Sequence, residues 1–267
     1  MRTRRRGPAR RTTWTAADRG SPAAVRHRAL IRARGRAVYR VVVDPVLWLL
    51  SRMLVLPLLH APPLRMRRAG LEHLPREGPV LVVCNHVSVA DPIVLMAAAR
   101  PRRTAMMAKS ELFRNPLLGW YLRGVRAFPI RRGCADVGAV RTACRLLDEG
   151  HCVVVFPEGR VTRSGLMRPG YPGAGMLALR PGVVTVPAVV WDTQLFRGPA
   201  RVRFGPPVNM SDVAPGPRRG RNREATDRIM TALAGLLPAA GGPAQPPPLG
   251  PPPLAATPAA ATNAVAR

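Results

Sequence analysis

The sequence predicts an α/β fold, a mixed and mostly parallel sheet covered by helices, with an amino-terminal membrane-associating helical segment. Three observations predict it. Short valine-rich runs, such as Val80-Leu81-Val82-Val83 and Val153-Val154-Val155, alternate with stretches of helical period. Glycine, proline and aspartate punctuate the boundaries between them. The chain has 267 residues and is 47% hydrophobic, enough for one α/β domain with appendages.

The elements follow in order. A strand over 79–84 is apolar throughout, as expected of a strand buried on both faces. Asp91-Pro92 reads as the N-cap and first residue of a helix over 92–100. A strand over 104–108, helical segments over about 110–123 and a strand over 126–130 come next. The helix over 136–149 places Val137, Val140, Cys144 and Leu147 on one face and stops at Gly150. A strand over 152–156, a helix over 173–180, strands over 184–190 and 201–205 and a helix over 223–236 complete the pattern. Strands alternating with helices argue for parallel pairing. The organisation is therefore a basic arm (1–40), an apolar segment (41–61), the α/β domain (67–236) and a disordered tail rich in proline and alanine (237–267).

The chemistry concentrates in Asn85-His86-Val87-Ser88-Val89-Ala90-Asp91. A strand-to-helix turn would place His86 at the mouth of the sheet, where an imidazole can meet substrate. Asp91, one turn away, accepts the proton on the other ring nitrogen, fixes the tautomer and stabilises the imidazolium formed when a hydroxyl is deprotonated. Such a pair suits acyl transfer onto an alcohol. Ser88 offers a rival role as nucleophile, but no Gly-x-Ser-x-Gly elbow surrounds it.

Three further blocks follow: Gly124-Val125-Arg126-Ala127-Phe128-Pro129-Ile130-Arg131-Arg132-Gly133, then Val153-Val154-Val155-Phe156-Pro157-Glu158-Gly159-Arg160, then Val183-Val184-Thr185-Val186-Pro187-Ala188-Val189-Val190, a strand broken by proline. In order and spacing, the four blocks resemble those of the glycerolipid acyltransferase family, the 1-acylglycerol-3-phosphate acyltransferase type, over about residues 67–210. The resemblance implies that His86 and Asp91 are catalytic and that Arg132, with Arg131 before it, binds glycerol phosphate. It implies a direct transfer, without an acyl-enzyme, from acyl-coenzyme A or acyl carrier protein to lysophosphatidate, with phosphatidate as product and no metal or other cofactor. The third block departs from the family's usual Phe-Pro-Glu-Gly-Thr-Arg, with Arg160 and Val161 in the last two places and Arg163 as a substitute charge. That departure bears on the acceptor, and another lysophospholipid or polar lipid is the alternative. Glu158 is expected to accept from a glycerol hydroxyl or to tie down the loop arginines, and Gly159 to let the backbone approach a ligand. Asn85 either fixes the turn or hydrogen-bonds in the site. Lys109, the sole lysine, is either a charge on the site rim or a plain surface residue.

Charge narrows the partners. The first 40 residues hold 13 arginines against one acid, Asp18, and supply +12 of the net +28. Residues 41–59 are apolar nearly throughout but divided by Arg52, whereas a spanning helix needs about 20 apolar residues. The expected arrangement is a helix lying in the interface of an anionic membrane on the cytoplasmic face, monotopic or peripheral, with a single spanning helix as the alternative. Arginines near the surface contribute roughly 1 kcal/mol each. Nucleic acid is a poor partner for a chain with 4% aromatics and no zinc-ligand spacing. Cys84, Cys134, Cys144 and Cys152 show neither a metal nor a disulfide pattern and read as small hydrophobes. A non-catalytic, basic membrane- or polyanion-binding protein on the same scaffold is the reading of another class.

Overall fold

The computed structural model describes residues 66–131, 136–162, 166–193, 199–244 and 248. The basic arm, the apolar segment 41–61, Arg132, Arg163, Cys134 and most of the tail lie outside these residues. Among the described residues no helix is long and apolar enough to cross a membrane.

Seven strands of the described chain form one sheet: β1 (Arg67–Ala69), β2 (Val80–Cys84), β3 (Thr104–Lys109), β4 (Ala127–Ile130), β5 (Cys152–Val155), β6 (Val184–Trp191) and β7 (Arg201–Phe204). Their order is β1-β7-β6-β2-β5-β3-β4, and every pairing is parallel except β6 with β7. The helices are α1 (Asp91–Ala98), α2 (Pro116–Gly124), α3 (Val137–Asp148), α4 (Gly173–Ala178) and α5 (Arg218–Ala239), with 3-10 turns at Leu71–His73 and Ser110–Phe113. The expected mixed, mostly parallel sheet between helices is what forms.

Strand alternation divides the core. Val80, Val82 and Cys84 of β2 join Val94 and Leu95 of α1 on one face. Leu81 and Val83 join Ala143 and Leu147 of α3, Leu177 of α4 and Ile229, Met230 and Leu233 of α5 on the other. All five β2 residues are buried, which β-branched runs tolerate because both faces are covered by helices.

Four expectations need correction. Ala90, not Asp91, is the N-cap of α1, and Asp91 is its first residue, so the carboxylate is free to turn back onto the preceding loop. The buried stripe of α3 runs through Ala139, Ala143 and Leu147, while Val137 is exposed. The two alanines let the helix lie close to the sheet, which larger side chains on that stripe would prevent. β6 runs unbroken through Pro187, because its ladder with β7 ends at Ala188 paired with Phe204 and the proline stands just beyond it. α5 begins at Arg218 and reaches Ala239, so Leu237, 2% exposed, belongs to the core and not to a tail. Gly150 does end α3, in the left-handed conformation with φ 76°.

α4 packs on α5 through Gly175, where an added Cβ would stand 2.1 Å from the Asn222 carbonyl oxygen and 2.8 Å from the Thr226 nitrogen. Backbone cannot move aside as a side-chain tip can. Gly175→Ala is expected to cost about 1–3 kcal/mol, seen as a lower urea midpoint at unchanged slope, and an unshifted midpoint would contradict this contact.

Candidate active site

Parallel α/β sheets bind ligands outside the carboxyl ends of their strands. There the chain leaves β2 into Asn85 and His86, β5 into residues 156–162, β3 into the turn at Ser110–Phe113, β4 into Arg131, and β6 into Asp192 and Thr193. β2 lies between β5 and β6, so His86 sits at the centre of this edge.

Asn85 fixes the exit of β2. Its Nδ2 donates to the Val190 carbonyl at 2.9 Å and its Oδ1 accepts from the Val190 N–H at 2.8 Å. Its amide is thus bound to the β6 backbone on both sides, the first of its two expected roles: it pins the turn.

His86 follows, with Nδ1 2.9 Å from Asp91 Oδ2. The same oxygen accepts from the backbone N–H groups of Val87 at 2.7 Å and Ser88 at 2.8 Å. Oδ1 accepts from the Thr193 hydroxyl at 2.5 Å. Asp91 is wholly buried, and these donors together with the amino end of α1 satisfy its charge. Because Oδ2 is an acceptor, the ring proton belongs on Nδ1, leaving a lone pair on Nε2. The imidazole stacks on Phe156, ring centroids 4.2 Å apart and 24° from parallel.

The backbone of His86 is clamped as firmly as its ring. Its N–H donates to Glu158 Oε1 at 2.9 Å, and its carbonyl accepts from the Thr162 N–H at 2.7 Å. Glu158 Oε2 accepts from the Thr162 hydroxyl at 2.6 Å and from the Arg168 N–H at 3.0 Å. Burial pushes the Glu158 carboxyl up, opposed by the hydrogen bonds from Thr162, Arg168 and His86. Glu158 is 3% exposed. Among the described residues its oxygens join the loop after β5 to the histidine turn, where contact with a glycerol hydroxyl or pairing with the loop arginines was expected; Arg163 lies outside those residues. Gly159 has φ 68°, and the place of its missing Cβ lies 2.9 Å from the Tyr171 ring. Its small size therefore serves the packing of Tyr171 where a close ligand approach was expected.

The remaining candidates are spread along the edge. Arg160 is exposed and has no hydrogen bond or ion pair among the described residues. Lys109 ends β3, its Nζ 3.7 Å from Glu111. Arg131, 72% exposed, ends β4; its Nε is 3.6 Å from Asp136 and its N–H donates to the same carboxylate at 2.8 Å. That N–H, with the Ala139 N–H, holds Asp136 below the usual carboxylate range. Ser88 Oγ accepts from the Ala90 N–H at 3.2 Å, a turn-forming role. Cys84 is buried, and desolvation, then the charges of Asp91 and Glu158, push its thiol well up, which keeps it from acting as a nucleophile. Among the described residues no group of three or more His, Cys, Asp or Glu could hold a metal ion. Sequence reasoning missed Phe156, Thr162 and Thr193. The first two stand within or beside a recognised block, whereas Thr193 carries no local signal.

The chain is similar to known proteins in sequence and in fold. The sequence profile of the family described as Acyltransferase matches residues 65–191. The 1-acyl-sn-glycerol-3-phosphate acyltransferase of Bacillus subtilis is 31% identical over 163 residues, 59% of this chain and 81% of that protein. The Streptococcus pneumoniae protein of the same name is 27% identical over 139 residues, 50% of this chain, and the chain spans about half of that protein's length, 51%. In fold, the chain is similar to the crystal structure of the 1-acyl-sn-glycerophosphate (LPA) acyltransferase PlsC from Thermotoga maritima, with a TM-score of 0.53 at 22% identity, covering 75% of this chain and 91% of that one. With 81% of a 31%-identical relative covered, and the blocks that carry the resemblance folded onto one sheet, the chain belongs to the glycerolipid acyltransferase family.

Proposed function

We propose that the protein is a membrane-associated O-acyltransferase that moves a fatty acyl group from acyl-coenzyme A or acyl carrier protein to the free hydroxyl of lysophosphatidate, giving phosphatidate. The observation that carries this reading is the His86–Asp91 pair, buried and braced at the carboxyl edge, in a chain whose relatives are named for acylation of 1-acyl-sn-glycerol-3-phosphate.

The geometry suits direct transfer. Nε2 of His86 takes the proton of the acceptor hydroxyl as that oxygen attacks the thioester carbonyl. The tetrahedral intermediate collapses with cleavage of the C–S bond, and the departing thiolate takes the proton back from the imidazolium. Asp91 stabilises that imidazolium throughout. The attacking oxygen comes from the acceptor and not from Ser88, whose hydroxyl is engaged in its own turn.

Strand spacing sorts the cations. At about 4.8 Å per strand, the loop after β5, with Arg160, lies one strand from His86, while Lys109 on β3 lies two strands away and Arg131 on β4 three. In lysophosphatidate the phosphate and the free hydroxyl share one glycerol, so among the described cations Arg160 is the nearest in strand order to help Arg132 hold the phosphate by bidentate contact. Arg131 and Arg163 would assist at the same phosphate, and Lys109 would be a charge on the rim of the site. No metal and no other cofactor is required by these steps.

Membrane association on the cytoplasmic face has two supports. One is the arginine-rich arm followed by the apolar segment 41–61. The other is the set of exposed apolar side chains Val89 (83%), Leu117 (78%) and Leu166 (59%), each following the carboxyl end of a parallel strand, the edge that holds His86. A lipid acceptor would reach the histidine from that side.

Labelled acyl transfer from acyl-coenzyme A and from acyl carrier protein to a panel of lysophospholipids tests the reading. Phosphatidate should form from lysophosphatidate, and His86→Ala should lower the rate by about 10²–10⁴-fold. Product with a different acceptor would reassign the substrate, and no product with any acceptor would favour a non-catalytic binding protein. Ser88→Ala should keep kcat within a few-fold of wild type; complete loss with a trappable acyl-serine would overturn direct transfer.

Glu158→Gln should impair both stability and rate, because an amide NH2 group must then face donors that the carboxylate accepts. The cost expected is about 1–3 kcal/mol in urea unfolding, together with a lower kcat through the displaced histidine turn. The pH dependence has a definite sign. A carboxyl raised in the native state binds more protons there than in the unfolded chain between its two pKa values, so stability falls as pH rises from the unfolded value, about 4.3, to the raised native one. The margin of wild type over Glu158→Gln should therefore narrow over that window and level off above it; a margin that widens would contradict the burial.

A further inference from the structure

We propose that Thr193 is a positioning residue for acyl transfer, its hydroxyl setting the plane of the Asp91 carboxylate so that Oδ2 faces His86 Nδ1. This rests on the reading of His86 as the general base. Oδ2 receives three donors, all from the same short turn: the histidine ring and the N–H groups of Val87 and Ser88. The Cβ–Cγ torsion of aspartate is intrinsically broad, so the donors on the two oxygens together set the plane of the carboxylate. The Thr193 hydroxyl, 2.5 Å from Oδ1, holds the other end and comes from just past the end of β6, 102 residues away. Thr193 is itself 2% exposed, so water has little room to replace it. Without that hydroxyl, Oδ1 becomes a buried charged oxygen with no donor among the described residues.

The backbone delivers the hydroxyl by a device that the rest of β6 does not need. Along β6, Ala188 and Val190 face α1, and Val189 and Trp191 face α3–α5. Plain alternation would put residue 193 with Trp191, on the wrong side of the sheet for Asp91. Asp192 intervenes with φ 54°, in the left-handed region that residues with side chains seldom enter and Asp enters more readily than most. The kink breaks the alternation and turns Thr193 toward α1. Two residues earlier, Asn85 holds Val190 at both its N–H and its carbonyl, so the kink is placed against a fixed point. A disfavoured conformation kept between a pin and a catalytic carboxylate marks a functional constraint.

The test compares Thr193→Val, which keeps shape and loses the hydroxyl, with Thr193→Ser, which keeps the hydroxyl and loses a methyl. Full-length protein is assayed with palmitoyl-coenzyme A and lysophosphatidate, alongside His86→Ala and thermal unfolding of each variant. Thr193→Val is expected to lower kcat about tenfold or more, with KM for both substrates within about twofold, and Thr193→Ser to retain at least about a third of wild-type kcat. Wild-type kcat in Thr193→Val, a change confined to KM, or equal losses in the two variants would overturn the proposal. If Thr193→Val does not fold, Thr193→Ala is judged by the same criteria. An inactive His86→Ala beside a fully active Thr193→Val would sink this inference alone, whereas an active His86→Ala would sink the reading on which it rests.

Discussion

A carboxylate with no exposed surface is tolerated only if hydrogen bonds replace the water it has lost, and Asp91 is such a group. The architecture around it follows from this requirement. Two backbone N–H groups must converge on one oxygen, so the chain after β2 closes into a tight turn, and the amino end of α1 points at the charge. A hydroxyl must reach the other oxygen, so the end of β6 is kinked inward. Only then can the ring of His86 complete the set. The histidine is thus one of several donors gathered by a buried charge, and its orientation is a by-product of satisfying that charge.

Glu158 solves the same problem for the backbone. Its oxygens accept from the His86 N–H, the Thr162 hydroxyl and the Arg168 N–H, donors that are neutral. The division matters in a chain of net charge +28. An arginine of the described residues paired with either buried carboxylate would be withdrawn from the edge proposed to bind an anionic substrate. Neutral donors satisfy both acids and leave Arg160 available.

Much of this was legible along the chain. Apolar runs of strand length and the His86–Asp91 spacing gave the sheet, the helices and the centre of the site, because each depends on neighbours within a few residues. What escaped depends on contacts across 72, 102 and 105 residues, those of Glu158 to His86, Thr193 to Asp91 and Asn85 to Val190. Strand order creates them: β2 sits between β5 and β6, which follow it late in the chain. No local pattern distinguishes an asparagine that pins a neighbouring strand from one that binds substrate. The misjudged α3 stripe has a related cause. Periodicity locates an apolar face, but the distance between helix and sheet decides whether valines or alanines occupy its middle, and here Ala139 and Ala143 do.

The same strand order assigns the blocks different work. Histidine turn, third-block loop and β6 end follow adjacent strands and are joined by hydrogen bonds through Glu158, Thr162, Asn85 and Thr193, and so form one braced unit. The second block, ending β4, is three strands removed, and Arg131 there meets Asp136 at the start of α3. A group three strands from His86 acts on the centre through the length of a substrate or through field. Substitutions in the braced unit should therefore disturb the chemical step, and those at the edge of β4 the capture of substrate. The departure at Arg160 falls on the boundary between the two, on a loop whose root is fixed to His86 while its side chain is exposed. That is where a change of acceptor can be accommodated without altering the geometry of proton transfer.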